Sequence, residues 1–264
     1  MEHTCYLCGL AIAGETDSGD HVVPKHLRSR KQPKVKGFEY AGRLPTHAKC
    51  NNQFGPETYC AKALELIEVL IDENCVSTFQ HRKDPTIVMM ALNSDCLKGF
   101  SRRDLQFFKI IDVREKNRTE WASPSFFSDK SKTNPTRTAL SVALAVLTKS
   151  AAALLVSRHL GKPPQRWRII AIPYAGGTEA LDFDHLLGDT KPFDIGVKVW
   201  LRRFETGEWF AIYRARNLLV YLLFRMSESE QIWRGVLAQF PDAEPLAFEA
   251  PRLTDLIGYE WRPA

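Results

Sequence analysis

The sequence predicts an α+β protein in two parts: a small metal-held segment, residues 1–76, followed by an α+β domain, residues 77–264, with a long central helix and a mostly antiparallel sheet. Three observations predict it. Residues 1 to about 55 are rich in Cys, His, Gly and basic side chains and poor in apolar runs, too poor to close a conventional core. Two ligand-type pairs, Cys5-x-x-Cys8 and His47-x-x-Cys50, bracket that segment. From about Val76 onward, apolar stretches of strand length alternate with polar loops around one long run of Ala, Leu and Val.

The chain has 264 residues, 44% of them hydrophobic, which supports a buried core, so general disorder is not the default expectation. It holds no internal repeat, heptad run or low-complexity tract, which sets aside repeat and fibrous architectures. The longest apolar run, within Thr138 to Val156, is interrupted by Ser141, Thr148, Lys149 and Ser150, and reads as a buried helix of a soluble protein rather than a membrane span. The start, Met1-Glu2-His3-Thr4-Cys5, lacks the basic and apolar regions of a signal peptide, so a cytoplasmic, reducing location without a membrane partner is expected. In such a compartment six cysteines serve as ligands or packing residues more readily than as disulfide staples.

The elements follow in order. Pro56-Glu57 opens a helix whose apolar positions Ala61, Leu64, Ile67 and Ile71 recur at helical spacing up to about Asn74. It begins there or near Ala48, or the two stretches are separate helices. Ile87 to Leu92 and Phe107 to Val113 read as strands, Arg118 to Pro135 as a polar loop, and Thr136 to Leu160 as the central helix. Arg166 to Tyr174 is a strand; Val197 to Arg203 and Glu208 to Tyr213 flank Phe204-Glu205-Thr206-Gly207 as a hairpin; Leu218 to Phe224 is a last apolar strand.

The two Cys/His pairs supply four nitrogen and sulfur ligands of the kind tetrahedral zinc prefers, Cys5, Cys8, His47 and Cys50. Each pair comes from one tight turn, so closing the site ties residue 5 to residue 50 and replaces the missing apolar core. His3 is an alternative fourth ligand without the paired spacing. Cys60, Cys75 and Cys96 share no such pattern and read as packing residues.

Between the pairs lies Gly19-Asp20-His21-Val22-Val23-Pro24, and after the second pair comes Asn51-Asn52-Gln53-Phe54-Gly55. The order Cys-x-x-Cys, then Asp-His-Val-Val-Pro, then x-x-Cys-Asn resembles the HNH endonucleases, in particular the bacterial branch in which a zinc knuckle brackets a ββα-metal unit. The resemblance covers about residues 3 to 60. It implies a zinc-stabilised HNH domain and a nuclease cutting DNA, with His21 as the general base and Asp20 and Asn51 as protein ligands of one catalytic Mg2+ or Mn2+ ion. Asn52 is the alternative to Asn51. Adjacent Asp20 and His21 can serve one site only if the chain bends there, which Gly19 and Pro24 permit. The family's middle Asn, which orients the catalytic His, has no equivalent, since Val22 to Cys50 contains no Asn; a backbone carbonyl near Gly42 to Leu44 is the expected substitute. Small bacterial HNH proteins with an added domain resemble accessory nucleases of restriction or anti-phage defence systems.

The net charge of +5 proves nothing by itself, but Lys25 to Lys49 carries eight basic residues against the single acid Glu39. Lys25, Arg28 and Arg43 are the candidate phosphate contacts, although the same charges also suit a solvated loop. Downstream of residue 76 nothing matches a motif: Asp182-Phe183-Asp184-His185 reads as a solvated turn, and Trp167, Trp200, Trp209, Tyr213 and Tyr221 as core. That domain is left the roles of target selection, homodimer formation or binding of a second subunit. Against the nuclease stands a different class, a zinc-containing nucleic-acid-binding or regulatory protein without catalysis.

Overall fold

The computed structural model describes residues 3–12, 19–21, 43–54, 58–80, 88–108, 110, 120–122, 135–175, 193–194, 198–205, 207–215, 218–226, 234–235, 237–238, 245–257, 259 and 261–263. In chain order the first elements are β1 (His3–Thr4), β2 (Ala11–Ile12), β3 (Asp20–His21), β4 (Arg43–Leu44), α1 (Ala48–Gln53) and α2 (Thr58–Ile71). Then come β5 (Val76–Gln80), β6 (Val88–Asn93), α3 (Arg102–Phe107), β7 (Glu120–Ala122) and α4 (Pro135–Leu155), which continues as a π-helical turn, Val156–Leu160. The last are β8 (Trp167–Ala175), β9 (Phe193–Asp194), β10 (Lys198–Arg203), β11 (Trp209–Ala215), β12 (Leu218–Phe224), β13 (Leu246–Ala250), a 3-10 turn (Leu253–Leu256) and β14 (Arg262–Pro263). The chain is therefore α+β with antiparallel sheets. Its compact units are 1–57 together with 144–264, and 58–143, a partition different from the boundary expected between 76 and 77.

The first unit is organised by a seven-stranded sheet in the order β14-β13-β8-β12-β11-β10-β9, antiparallel throughout. Register explains its two faces, because side chains alternate along each strand. Ile170, Ile172, Phe210, Ile212, Tyr221 and Leu223 form a core cluster on one face, with Trp200, Phe204 and Leu237 packed against it. Residues of opposite parity, including Trp167, Ile169, Ala171, Tyr213, Val220 and Leu222, are also buried, so β8 and β12 read as nearly continuous apolar runs. Ser150 of α4 lies 3.0 Å, Oγ to Oη, from Tyr213, which places α4 on that second face. The helix is buried on all sides from Leu144 to Val156, as expected of a helix without a polar stripe. By length and composition Thr138–Leu160 is also apolar enough to cross a membrane, and 83% of its most apolar window is buried inside the fold.

The hairpin expected around Phe204 to Gly207 is present. Phe204 and Glu208 close it, the Phe204 N–H donating to the Glu208 carbonyl at 2.9 Å, and Gly207 takes a φ of 93° that a side chain would strain.

The second unit carries the three-stranded antiparallel sheet β5-β6-β7 with α2 and α3. Lys62 of α2 pairs with Glu65 at 2.6 Å, donates to the Gly99 carbonyl at 2.7 Å and lies over the Phe100 ring. Tyr59 stacks on Phe107 at 4.0 Å between centroids.

Several sequence expectations are corrected. The strand over Phe107 to Val113 begins as the end of α3 instead, because Ser101 and Asp104 form a reciprocal capping box that nucleates a helix at Arg102. Residues 111–113 lie outside the described residues. The polar loop of Arg118 to Pro135 contains β7, whose Trp121 sits opposite Leu92 of β6. Of the readings left open around Ala48 and Pro56, the structure has two separate helices, α1 and α2. Cys75 and Cys96 are not merely packing residues: they form a disulfide, with Cα atoms 5.8 Å apart, between the end of α2 and the turn after β6. Cys60 is fully buried, as a packing residue should be.

Candidate metal centre

The N-terminal turn forms because β1 and β2 pair and their connection is closed by two backbone bonds. The Cys5 N–H donates to the Leu10 carbonyl at 2.9 Å and the Gly9 N–H to the Cys5 carbonyl at 2.8 Å. Gly9 adopts φ 77°, the left-handed conformation this reversal needs directly after Cys8. The second pair sits where α1 begins. His47 is the residue before the helix, extended at ψ 137°, and its ring does not cap the helix.

The ring instead faces the thiols. His47 Nδ1 lies 3.3 Å from Cys8 Sγ and 3.8 Å from Cys50 Sγ, and its Nε2 is 3.2 Å from the Ala11 carbonyl oxygen. A carbonyl can only accept, so Nε2 carries the proton and the Nδ1 lone pair is left for the thiols or a cation between them. The ligand atoms of Cys5, Cys8, His47 and Cys50 all lie within 4.8 Å of one another. Tetrahedral zinc, with bonds of about 2.3 Å to sulfur, spaces its ligand atoms at roughly 3.8 Å. The cluster can therefore bind a metal such as zinc. The side chain of His3, the alternative ligand, lies outside the described residues.

Electrostatics favour a cation there. Burial raises the Cys5 thiol. Burial, and then the neighbouring Cys5 charge, push Cys50 up to about 12. Burial also acts to raise Cys8, but hydrogen bonds from Leu10, Cys5, His47 and Cys50 outweigh it and hold that thiol below its ordinary value. Three sulfurs this close cannot all ionise unless positive charge is placed between them.

The hairpin β3-β4 lies in the sequence between the two ligand pairs. Asp20 is opposite Leu44 and His21 opposite Arg43, and α1 follows, so the element order is strand, strand, helix. Gly19 takes φ 48° just before the strand, but Asp20 and His21 are themselves consecutive residues of β3, so the bend expected at that pair is not seen there and their positions alternate across the strand. Asp20 is 1% exposed, and its Oδ2 accepts from the Tyr6 hydroxyl and pairs with Lys149 Nζ at 2.8 Å. Lys149, 5% exposed, comes from α4, and its ammonium is 4.7 Å from the centre of the Phe54 ring. Asp20 Oδ1 is buried with no hydrogen-bond partner among the described residues. That orphaned oxygen is the feature here that fits a hard cation or a water.

Asn51 is half-buried in the first turn of α1 and Asn52 is exposed. The side chains of His21 and Arg43, and the whole of Lys25 and Arg28, lie outside the described residues, as do His81 and Asp182 to His185. Sequence reasoning missed Tyr6 and Lys149. The available signal was a lysine in an otherwise apolar helix, which must find a counter-charge if it is buried. Trp167, Trp209, Tyr213 and Tyr221 are buried, as core aromatics should be. His159, in the π-helical turn, lies tilted against Trp209 at 4.2 Å between ring centroids, and burial and then Arg158 lower its pKa. Compared with protein-family models, curated proteins and solved structures, the chain matches none of them.

Proposed function

We propose that the chain is a metal-dependent HNH endonuclease that hydrolyses DNA phosphodiester bonds, with a structural zinc held by Cys5, Cys8, His47 and Cys50 and an Mg2+ or Mn2+ ion at Asp20 and Asn51. One observation supports this reading: a strand-strand-helix unit, β3-β4-α1, begins with the Asp20-His21 pair, and its hairpin lies between two Cys/His pairs whose ligand atoms converge. His21 takes a proton from water, whose oxygen attacks phosphorus. The bond to the 3′ oxygen breaks and that oxygen gains a proton from solvent, leaving 5′-phosphate and 3′-hydroxyl ends. The cation at Asp20 and Asn51 supplies charge stabilisation at the phosphate oxygens when bound. The backbone of β4, opposite His21, is the element available to orient the imidazole in place of the absent Asn. Lys25, Arg28 and Arg43 neutralise phosphates on either side.

The test is plasmid nicking with Mg2+ or Mn2+. His21→Ala should slow it by about 10²- to 10⁴-fold. Cleavage at the wild-type rate by that variant refutes the assignment.

A second reading is favoured by the burial of Asp20 in its ion pair with Lys149: a zinc-containing module that binds nucleic acid without cutting it. It expects salt-sensitive DNA binding, no nicking with any divalent ion, and no loss of DNA binding in Asp20→Asn.

A further inference from the structure

The Asp20–Lys149 pair is more than stability requires. Removing a carboxylate and an ammonium from water costs several kcal/mol for each ion, and apolar substitutes for such pairs are frequently neutral or stabilising. A second polar group is spent on the same atom, since Tyr6 donates its hydroxyl to Oδ2 as well. Both donors converge on one oxygen while the other, Oδ1, is equally buried and has no donor among the described residues. A buried carboxylate oxygen left without a donor is unfavourable unless something else occupies the position. The arrangement has the form of a ligand held from behind: carboxylates that bind metals are oriented by hydrogen bonds to their outer oxygen.

We propose that Tyr6 and Lys149 are positioning residues, fixing Asp20 through Oδ2 so that Oδ1 is presented to a divalent cation. The proposal rests on the reading of Asp20 as a ligand of that cation. It also joins three parts of the first unit. Tyr6 lies between Cys5 and Cys8, so closure of the Cys/His cluster sets where its hydroxyl reaches. Lys149 belongs to α4, so the C-terminal part of the chain contributes to the N-terminal site. Phe54, just past α1, faces the same ammonium and limits where it can go.

The experiment is a Mn2+ titration of the zinc-loaded full chain, reading free Mn2+ by electron paramagnetic resonance. Wild type is compared with Asp20→Asn, Tyr6→Phe, Lys149→Met and Lys149→Arg, each first checked for folding by circular dichroism. Asp20→Asn should abolish the site. Tyr6→Phe and Lys149→Met should each weaken Mn2+ binding by about 10- to 100-fold, the range for outer partners of metal ligands. Lys149→Arg should restore most of the affinity, and raising Mn2+ should recover nicking by Lys149→Met. Wild-type or tighter binding in both Tyr6→Phe and Lys149→Met, with loss in Asp20→Asn, overturns the positioning role and leaves the Asp20 site standing. Absence of Mn2+ binding in the wild type overturns both. If Lys149→Met does not fold, Tyr6→Phe, which removes one oxygen atom, decides alone.

Discussion

His47 makes two commitments with one ring, its Nε2 proton to the Ala11 carbonyl and its Nδ1 lone pair to the sulfurs. With the Cys5 and Cys50 thiols raised, both are protonated near neutral pH when no metal is bound. Metal binding must expel those protons, so affinity falls as pH falls. If two thiol protons leave, zinc affinity measured against a chromophoric chelator should drop about 100-fold for each pH unit between 8 and 6. An affinity independent of pH excludes thiolate ligation. The ligand pairs were legible because each is local: two side chains three apart in one turn point the same way whatever the rest of the chain does. The partners of Asp20 were not, because Lys149 lies on a distant element and nothing in local spacing indicates which buried charge an isolated lysine meets.

At the scale of elements, strands that are uninterrupted apolar runs, such as β12, were readable, and so was α4 from its length. The Ser101–Asp104 box nucleates α3, which takes in Phe107, the first residue of the stretch read as a strand. The Cys75–Cys96 bond closes a loop across 21 positions of sequence. Restricting a loop of that length in the unfolded chain stabilises by about 3 kcal/mol on the loop-entropy account. Cys75→Ala with Cys96→Ala should lower the denaturant midpoint accordingly, and non-reducing peptide mass spectrometry should recover the linked pair. An unchanged midpoint with and without reductant would mean the bond is absent in solution. Its formation was hidden from the sequence because Cys75 and Cys96 share no spacing motif; only the pairing of β5 with β6, with Asn93 donating to the Cys75 carbonyl, brings them together.

At the scale of the molecule, the N-terminal segment is not an independent bead. The Leu7 carbonyl accepts from the Leu253 N–H at 2.8 Å, Leu7 and Tyr6 are buried, and Asp20 pairs with Lys149. A zinc-loaded fragment of residues 1–76 lacks Leu253 and Lys149 and leaves Leu7 and Tyr6 without the packing that buries them. It should show poorly dispersed amide resonances and no cooperative melting. A fragment melting at the temperature of the full chain would show that the segment folds by itself.

By itself the sequence determined the α+β class, the two local Cys/His pairs and most of the central strands and helix, since each depends on spacing within one turn or one run of residues. Only the tertiary structure decided that Asp20 is buried against Tyr6 and Lys149, that Cys75 meets Cys96, and that residues 1–57 form a unit with 144–264. Those are pairings between elements far apart in the chain. Their partners are selected by packing and by the need to compensate buried charge, neither of which leaves a periodic trace in the sequence.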